Sequence, residues 1–167
     1  MTRVEVDTHT KLAPEQVRAA LLDFSDRRPD IWPGLSREYW KFYSTSGTTA
    51  EVREGSTKPV RIWARELYDW SDPEVVRWEM IENPGVMEPG SYVSARIVKA
   101  SDGGSDIHLV WDRTPINFKG RFVAFFMKAT RLKPIGKYVT KCLDKLADEG
   151  YAASGPTLPP DAGSAAG

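Results

Sequence analysis

From residue 38 to residue 113 the chain passes through six short runs rich in aromatic and β-branched residues, and most of the breaks between them are too short for a crossover. The runs span 39–45, 48–54, 60–70, 75–82, 91–100 and 106–114, and the breaks are rich in Gly, Pro, Ser and Asp. Short breaks force sequential strands to lie side by side and antiparallel, as a meander. A seventh strand is predicted over 2–10, where Val4 and Val6 alternate with Arg3, Glu5 and Asp7.

Helical periods flank the meander. In 11–24, Pro14 suits a first helical turn, and Val17, Ala20, Leu21 and Phe24 recur at i, i+3, i+4, i+7. A shorter piece over 27–35, bounded by Pro29 and Pro33-Gly34, presents Ile31 and Trp32. After Pro115, one apolar stripe runs through Phe118, Phe122, Phe125, Ala129 and Leu132 and on through Val139, Leu143 and Leu146. This predicts one long C-terminal helix, bent at 133–136 around Pro134 and Gly136 and stopped at Gly150. The last residues, 151–167, hold little apolar mass and read as a disordered tail, leaving one domain over 1–150. The expected class is α+β: a seven-stranded curved antiparallel sheet wrapped around a long C-terminal helix, with two short helices after the first strand.

Composition narrows the function. With 41% hydrophobic and 28% charged residues the chain is neither disordered nor fibrous. Its formal net charge of zero argues against nucleic acid as a partner. No apolar run is long enough to span a bilayer and 1–12 lacks a signal-peptide core, so a cytoplasmic location is expected. One cysteine, Cys142, cannot build a multi-thiolate zinc site, and only His9 and His108 remain as other soft ligands, so no metal is expected; no nucleotide-binding motif or Ser-His-Asp set can be assembled. No cofactor is expected. Charge is uneven, however: 119–145 holds eight Lys and Arg, from Lys119 and Arg121 to Lys145, against Asp144 alone. A solvated helix face explains this, and so does weak contact with an anionic membrane or an acidic protein.

The segments VEVDTHTKLAPEQVRAALLDF, RIWARELYDWSDPEVVRWEM and VWDRTPINFKGRF resemble the START-like (SRPBCC) superfamily of polyketide cyclases, dehydrases and lipid-transport proteins, over roughly 3–149. The resemblance implies a Bet v 1-like helix-grip fold with a cavity between sheet and last helix. It also implies a hydrophobic ligand, lipid- or polyketide-like, that is bound, carried or transformed. None of these segments is a catalytic signature.

Side-chain alternation then selects candidates for the cavity wall. If Trp111 points inward, so do Leu109 and Arg113, while His108 and Asp112 point away. Trp78 goes with Met80, and Trp63 with Arg65 and Leu67, which sends Glu66 outward. Trp32, Trp40, Tyr92, Phe122 and Phe125 complete the expected ligand-binding set, and Cys142 is expected in the core. Arg65, at mid-strand, is the best candidate to polarise a ligand carbonyl if the chain is an enzyme of the cyclase, aromatase or dehydrase type, working without metal or nucleotide. Otherwise it anchors a ligand oxygen or forms a structural ion pair.

Overall fold

The computed structural model describes residues 2–58 and 61–160. Seven strands form one antiparallel sheet in the order β1-β7-β6-β5-β4-β3-β2. They are β1 (Thr2–Thr10), β2 (Lys41–Ser46), β3 (Thr49–Ser56), β4 (Ile62–Asp69), β5 (Val75–Glu82), β6 (Tyr92–Lys99) and β7 (Ser105–Arg113). Sequential strands neighbour one another from β2 to β7, as the short turns require, and β1 closes on β7 with Val4 opposite Trp111 and Val6 opposite Leu109. Each strand lies within about two residues of its predicted run. Val60, where the sequence begins the β4 run, lies outside the described residues.

Two helices, α1 (Pro14–Leu21) and α2 (Arg28–Ile31), follow β1. Pro14 opens α1, and the Gln16 Oε1 accepts from the Ala13 N–H at 3.1 Å, so an otherwise orphaned donor is satisfied. Val17 and Ala20 are fully buried, as the helical period requires.

The C-terminal region departs from one bent helix. It forms α3 (Phe118–Ala129) and α4 (Lys133–Asp148), separated by a three-residue break. The break is at Arg131 and Leu132, both left-handed at φ 50° and 58°, while Pro134 sits harmlessly in the first turn of α4. Proline therefore starts a helix here instead of kinking one. Gly136 faces β1, where an added Cβ would lie 3.3 Å from Val6, and Leu143 and Leu146 are buried behind it. α4 is the helix that the sheet grips.

The expected α3 stripe is also corrected. Phe118, Phe122 and Phe125 face solvent, and it is Gly120, Val123, Ala124 and Met127 that face inward. Gly120 decides the rotation: an added Cβ would sit 2.2 Å from the Val86 carbonyl oxygen, so only the glycine edge of the helix can approach that strand-connecting loop. Asn117 caps α3 by accepting from the Gly120 N–H at 2.9 Å.

Of the expected disordered tail, residues 151–160 are instead anchored. Thr157 bridges to α1's exit: the Phe24 N–H donates to the Thr157 carbonyl at 2.7 Å, and the Thr157 N–H donates to that of Leu22 at 3.1 Å. Residues 161–167 lie outside the described residues. Among the described residues no helix is long and apolar enough to cross a membrane.

Candidate functional site

A cavity of about 390 Å³ lies between the concave face of the sheet and the inner faces of α3 and α4. Its wall is mainly apolar. β7 contributes Ile107, Leu109 and Trp111, β5 Trp78 and Met80, and β6 Val93 and Ala95. Val123, Met127, Leu132, Ile135, Val139 and Leu143 close it from the helical side, and Trp32 with Leu35 borders it after α2. The β7 alternation thus delivers Leu109, Trp111 and Arg113 to one face, as period 2 dictates.

On β4 the alternation groups Arg65 with Leu67 correctly but assigns the two to the wrong face. Ala64, Glu66 and Tyr68 line the cavity. Arg65 and Leu67 lie on the convex face, where Arg65 bonds Glu51, lies 3.8 Å from Glu82 and stacks 4.4 Å from the Tyr43 ring centroid. Trp63 borders the open end of the cavity, opposite Gly55 and beside the convex-face Arg53. The directly paired neighbours set the face: Glu66 pairs with the buried Val52 and Met80, whereas Arg65 pairs with Arg53 and, past a bulge at Ile81 on β5, with Glu82. Tyr68 pairs directly with the inward Trp78, and their rings stack at 5.4 Å. A wide aromatic at 63, near the strand end, is a poor guide to the face of mid-strand residues.

Four other expected wall residues lie elsewhere. Trp40 packs against the Arg28 guanidinium, 5.4 Å from its ring centroid. Tyr92 is on the convex face with Arg77 3.6 Å from its ring centroid, and its hydroxyl accepts from Arg3 at 3.1 Å. Phe122 and Phe125 point outward from α3.

Two charged clusters interrupt the apolar wall. The first is saturated: Arg28 donates to Glu54 at 2.7 Å, to the Tyr68 hydroxyl at 2.7 Å, and to the carbonyls of Leu21 and Asp23 at 2.9 and 3.0 Å. The Tyr68 hydroxyl in turn donates to Glu54 at 2.8 Å. Burial acts to lower the Arg28 pKa, but Glu54, Tyr68 and Glu66 together outweigh it and hold the guanidinium above its ordinary value. With its donors engaged and the rings of Phe24, Trp40 and Tyr68 around it, Arg28 is a structural post. The sequence offers no signal for it beyond the position of 28 in a short proline-bounded helix.

The second cluster is less complete. Arg113 donates to Glu66 Oε1 at 2.7 Å across the cavity floor, and its Nε is buried with no hydrogen-bond partner among the described residues. Burial pushes the Glu66 carboxyl up to about 7, and nearby Glu54 adds to the rise against the opposing pull of Arg113. A carboxyl titrating near neutrality beside a guanidinium can accept or release a proton and can hold a ligand oxygen. Among the described residues no three His, Cys, Asp or Glu side chains converge as metal ligands. Both histidines are on the outer face, His9 with Asp106 at 2.9 Å and His108 with Asp7 at 2.7 Å. Cys142 is buried, and burial raises its thiol pKa.

The chain belongs to the family described as polyketide cyclase / dehydrase and lipid transport, which it matches over residues 1–150. Solved structures agree on the fold. Zhui aromatase/cyclase from Streptomyces sp. R1128 is 12% identical with a TM-score of 0.71, covering 93% of this chain and 98% of that one. A START superfamily protein from Mycobacterium smegmatis is 8% identical with a TM-score of 0.66, covering 89% and 99%. Norcoclaurine synthase from Thalictrum flavum, solved with dopamine and hydroxybenzaldehyde, is 14% identical with a TM-score of 0.64, covering 90% and 88%. No curated protein matches the sequence. The fold is therefore the START-like helix-grip.

Proposed function

We propose that the protein binds a hydrophobic small molecule between the sheet and α3–α4, with an oxygen of the ligand facing Glu66 and Arg113. The observation that carries this reading is a wall of Trp78, Met80, Leu109 and Trp111 around one incompletely partnered ion pair. Ligand sites of this size combine apolar area with a few convergent polar groups in the same way. The Arg28–Glu54–Tyr68 post contributes rigidity, since its donors are already engaged. Tryptophan fluorescence titration with 1-naphthol and with hexadecanoic acid tests the reading, because Trp78 and Trp111 report on the cavity. Saturable quenching that weakens in Arg113→Met supports it. The absence of saturable binding by either probe, together with a native mass equal to the sequence mass, overturns it.

The titration range of Glu66 favours a second reading, an enzyme of the cyclase or dehydrase kind. The Glu66 carboxylate takes a proton from a carbon next to a ligand carbonyl, and Arg113 holds the resulting enolate oxygen. For a β-hydroxy carbonyl compound, the same carboxyl returns its proton to the departing hydroxide, giving water and a conjugated double bond. Arg65, on the convex face, has no part in this. Glu66→Gln keeps the hydrogen-bonding shape and loses the base, so turnover vanishes while probe binding stays.

A further inference from the structure

The outer face of α3 carries four phenylalanines that nothing among the described residues covers. Phe118 is 86% exposed, Phe122 61%, Phe125 70% and Phe126 47%. Their i, i+4, i+7, i+8 spacing places them on one side of the helix. Scattered exposed apolar side chains are ordinary, but four rings on one helical face form a patch, and such patches are contact surfaces. Cations frame it. Lys119, Arg121, Lys128, Arg131 and Lys133 are all exposed, and no Asp or Glu occurs between Asp112 and Asp144. Among the described residues the only lysines in ion pairs are Lys11 and Lys145.

We propose that α3 docks flat on an anionic lipid bilayer, with Phe118, Phe122, Phe125 and Phe126 at the headgroup–acyl boundary and the flanking Lys and Arg on lipid phosphates. A helix with bulky apolar residues on one face and cations beside them is built to lie in that plane, and an anionic leaflet draws each nearby cation. A second copy of the chain fits less well. The α3 face is about 18 Å long and about 10 Å wide, a small part of the roughly 800 Å² per partner of a stable dimer, and pairing would bring two cationic strips together. Behind the rings, Val123 and Met127 line the cavity, so the docked helix is also a cavity wall. The docking itself does not depend on any ligand.

Co-sedimentation of the full chain with vesicles tests this, using phosphatidylcholine alone and phosphatidylcholine mixed with phosphatidylglycerol. The wild type is expected to bind the anionic vesicles about tenfold or more tightly than the neutral ones, and less tightly at high salt. Phe122→Ser with Phe125→Ser, and separately Arg121→Glu with Lys128→Glu and Lys133→Glu, each cut binding about tenfold or more, while Phe122→Leu with Phe125→Leu retains it. These positions are exposed, so circular dichroism and Tm stay at wild-type values. Three results overturn the proposal: no binding to anionic vesicles at low salt, serine variants that bind like the wild type, or self-association in light scattering without vesicle binding.

Discussion

Glu66 is where single-residue chemistry bears most directly on what the molecule can do. Its carboxyl is held near 7 in the folded chain, against an ordinary value of 4.5. Between those two pH values the unfolded chain has lost the proton and the folded chain keeps it, so the folded state binds more protons and stability falls as pH rises. The fall begins near the ordinary value and ends just above the folded one. Glu66→Gln removes the titration and preserves the acceptor for Arg113, so the wild type loses stability relative to the variant by on the order of 3 kcal/mol across that window. Urea unfolding of both proteins at several pH values measures the difference, and parallel curves refute the assignment. Alternation in the sequence pairs Arg65 with Leu67 correctly. It cannot say which face is concave, because the neighbouring strands set that face, where Glu66 meets the buried Val52 and Met80 and Arg65 meets Arg53.

At the scale of elements, α3 shows how a period can be read correctly and still point the wrong way. The phenylalanines do form one stripe, but the core accepts the opposite stripe, since Gly120 must touch the Val86 carbonyl. Burial strength ranks a phenylalanine face above one of glycine, alanine and methionine, so sequence logic turns the larger rings inward. Tertiary contact and the left-handed break at Arg131 and Leu132 override it. Gly120→Ala therefore costs about 1–3 kcal/mol or more, because the added methyl meets a backbone oxygen that cannot rotate away. Thermal unfolding reads the loss. Gly47→Ala is the contrast, since no atom lies within 4 Å of the added methyl and only the strain of its positive φ is paid.

The whole molecule is a sheet that has to cover more helical surface than its own side chains can fill. The order from β2 to β7 is legible because most links between these strands are short, and sequential pairing leaves β1 the free edge of β2 or of β7; it takes that of β7. The interior volume was not readable, because it depends on how far α3 and α4 stand from the sheet, which the Gly120 and Gly136 contacts set. That volume separates a ligand carrier or enzyme from a solid domain of the same fold. Leu109→Trp puts a large ring into the middle of the concave face, opposite Val6 and Ala95. In a filled core such a change costs about 1–3 kcal/mol, and at about 2–4 °C per kcal/mol for a chain of this size Tm drops by several degrees. In a cavity the ring occupies space already open, so Tm holds or rises while the naphthol titration loses its saturable phase. Calorimetry and fluorescence on the same variant check both halves, and a lowered Tm with probe binding intact shows that the cavity is not where ligands go.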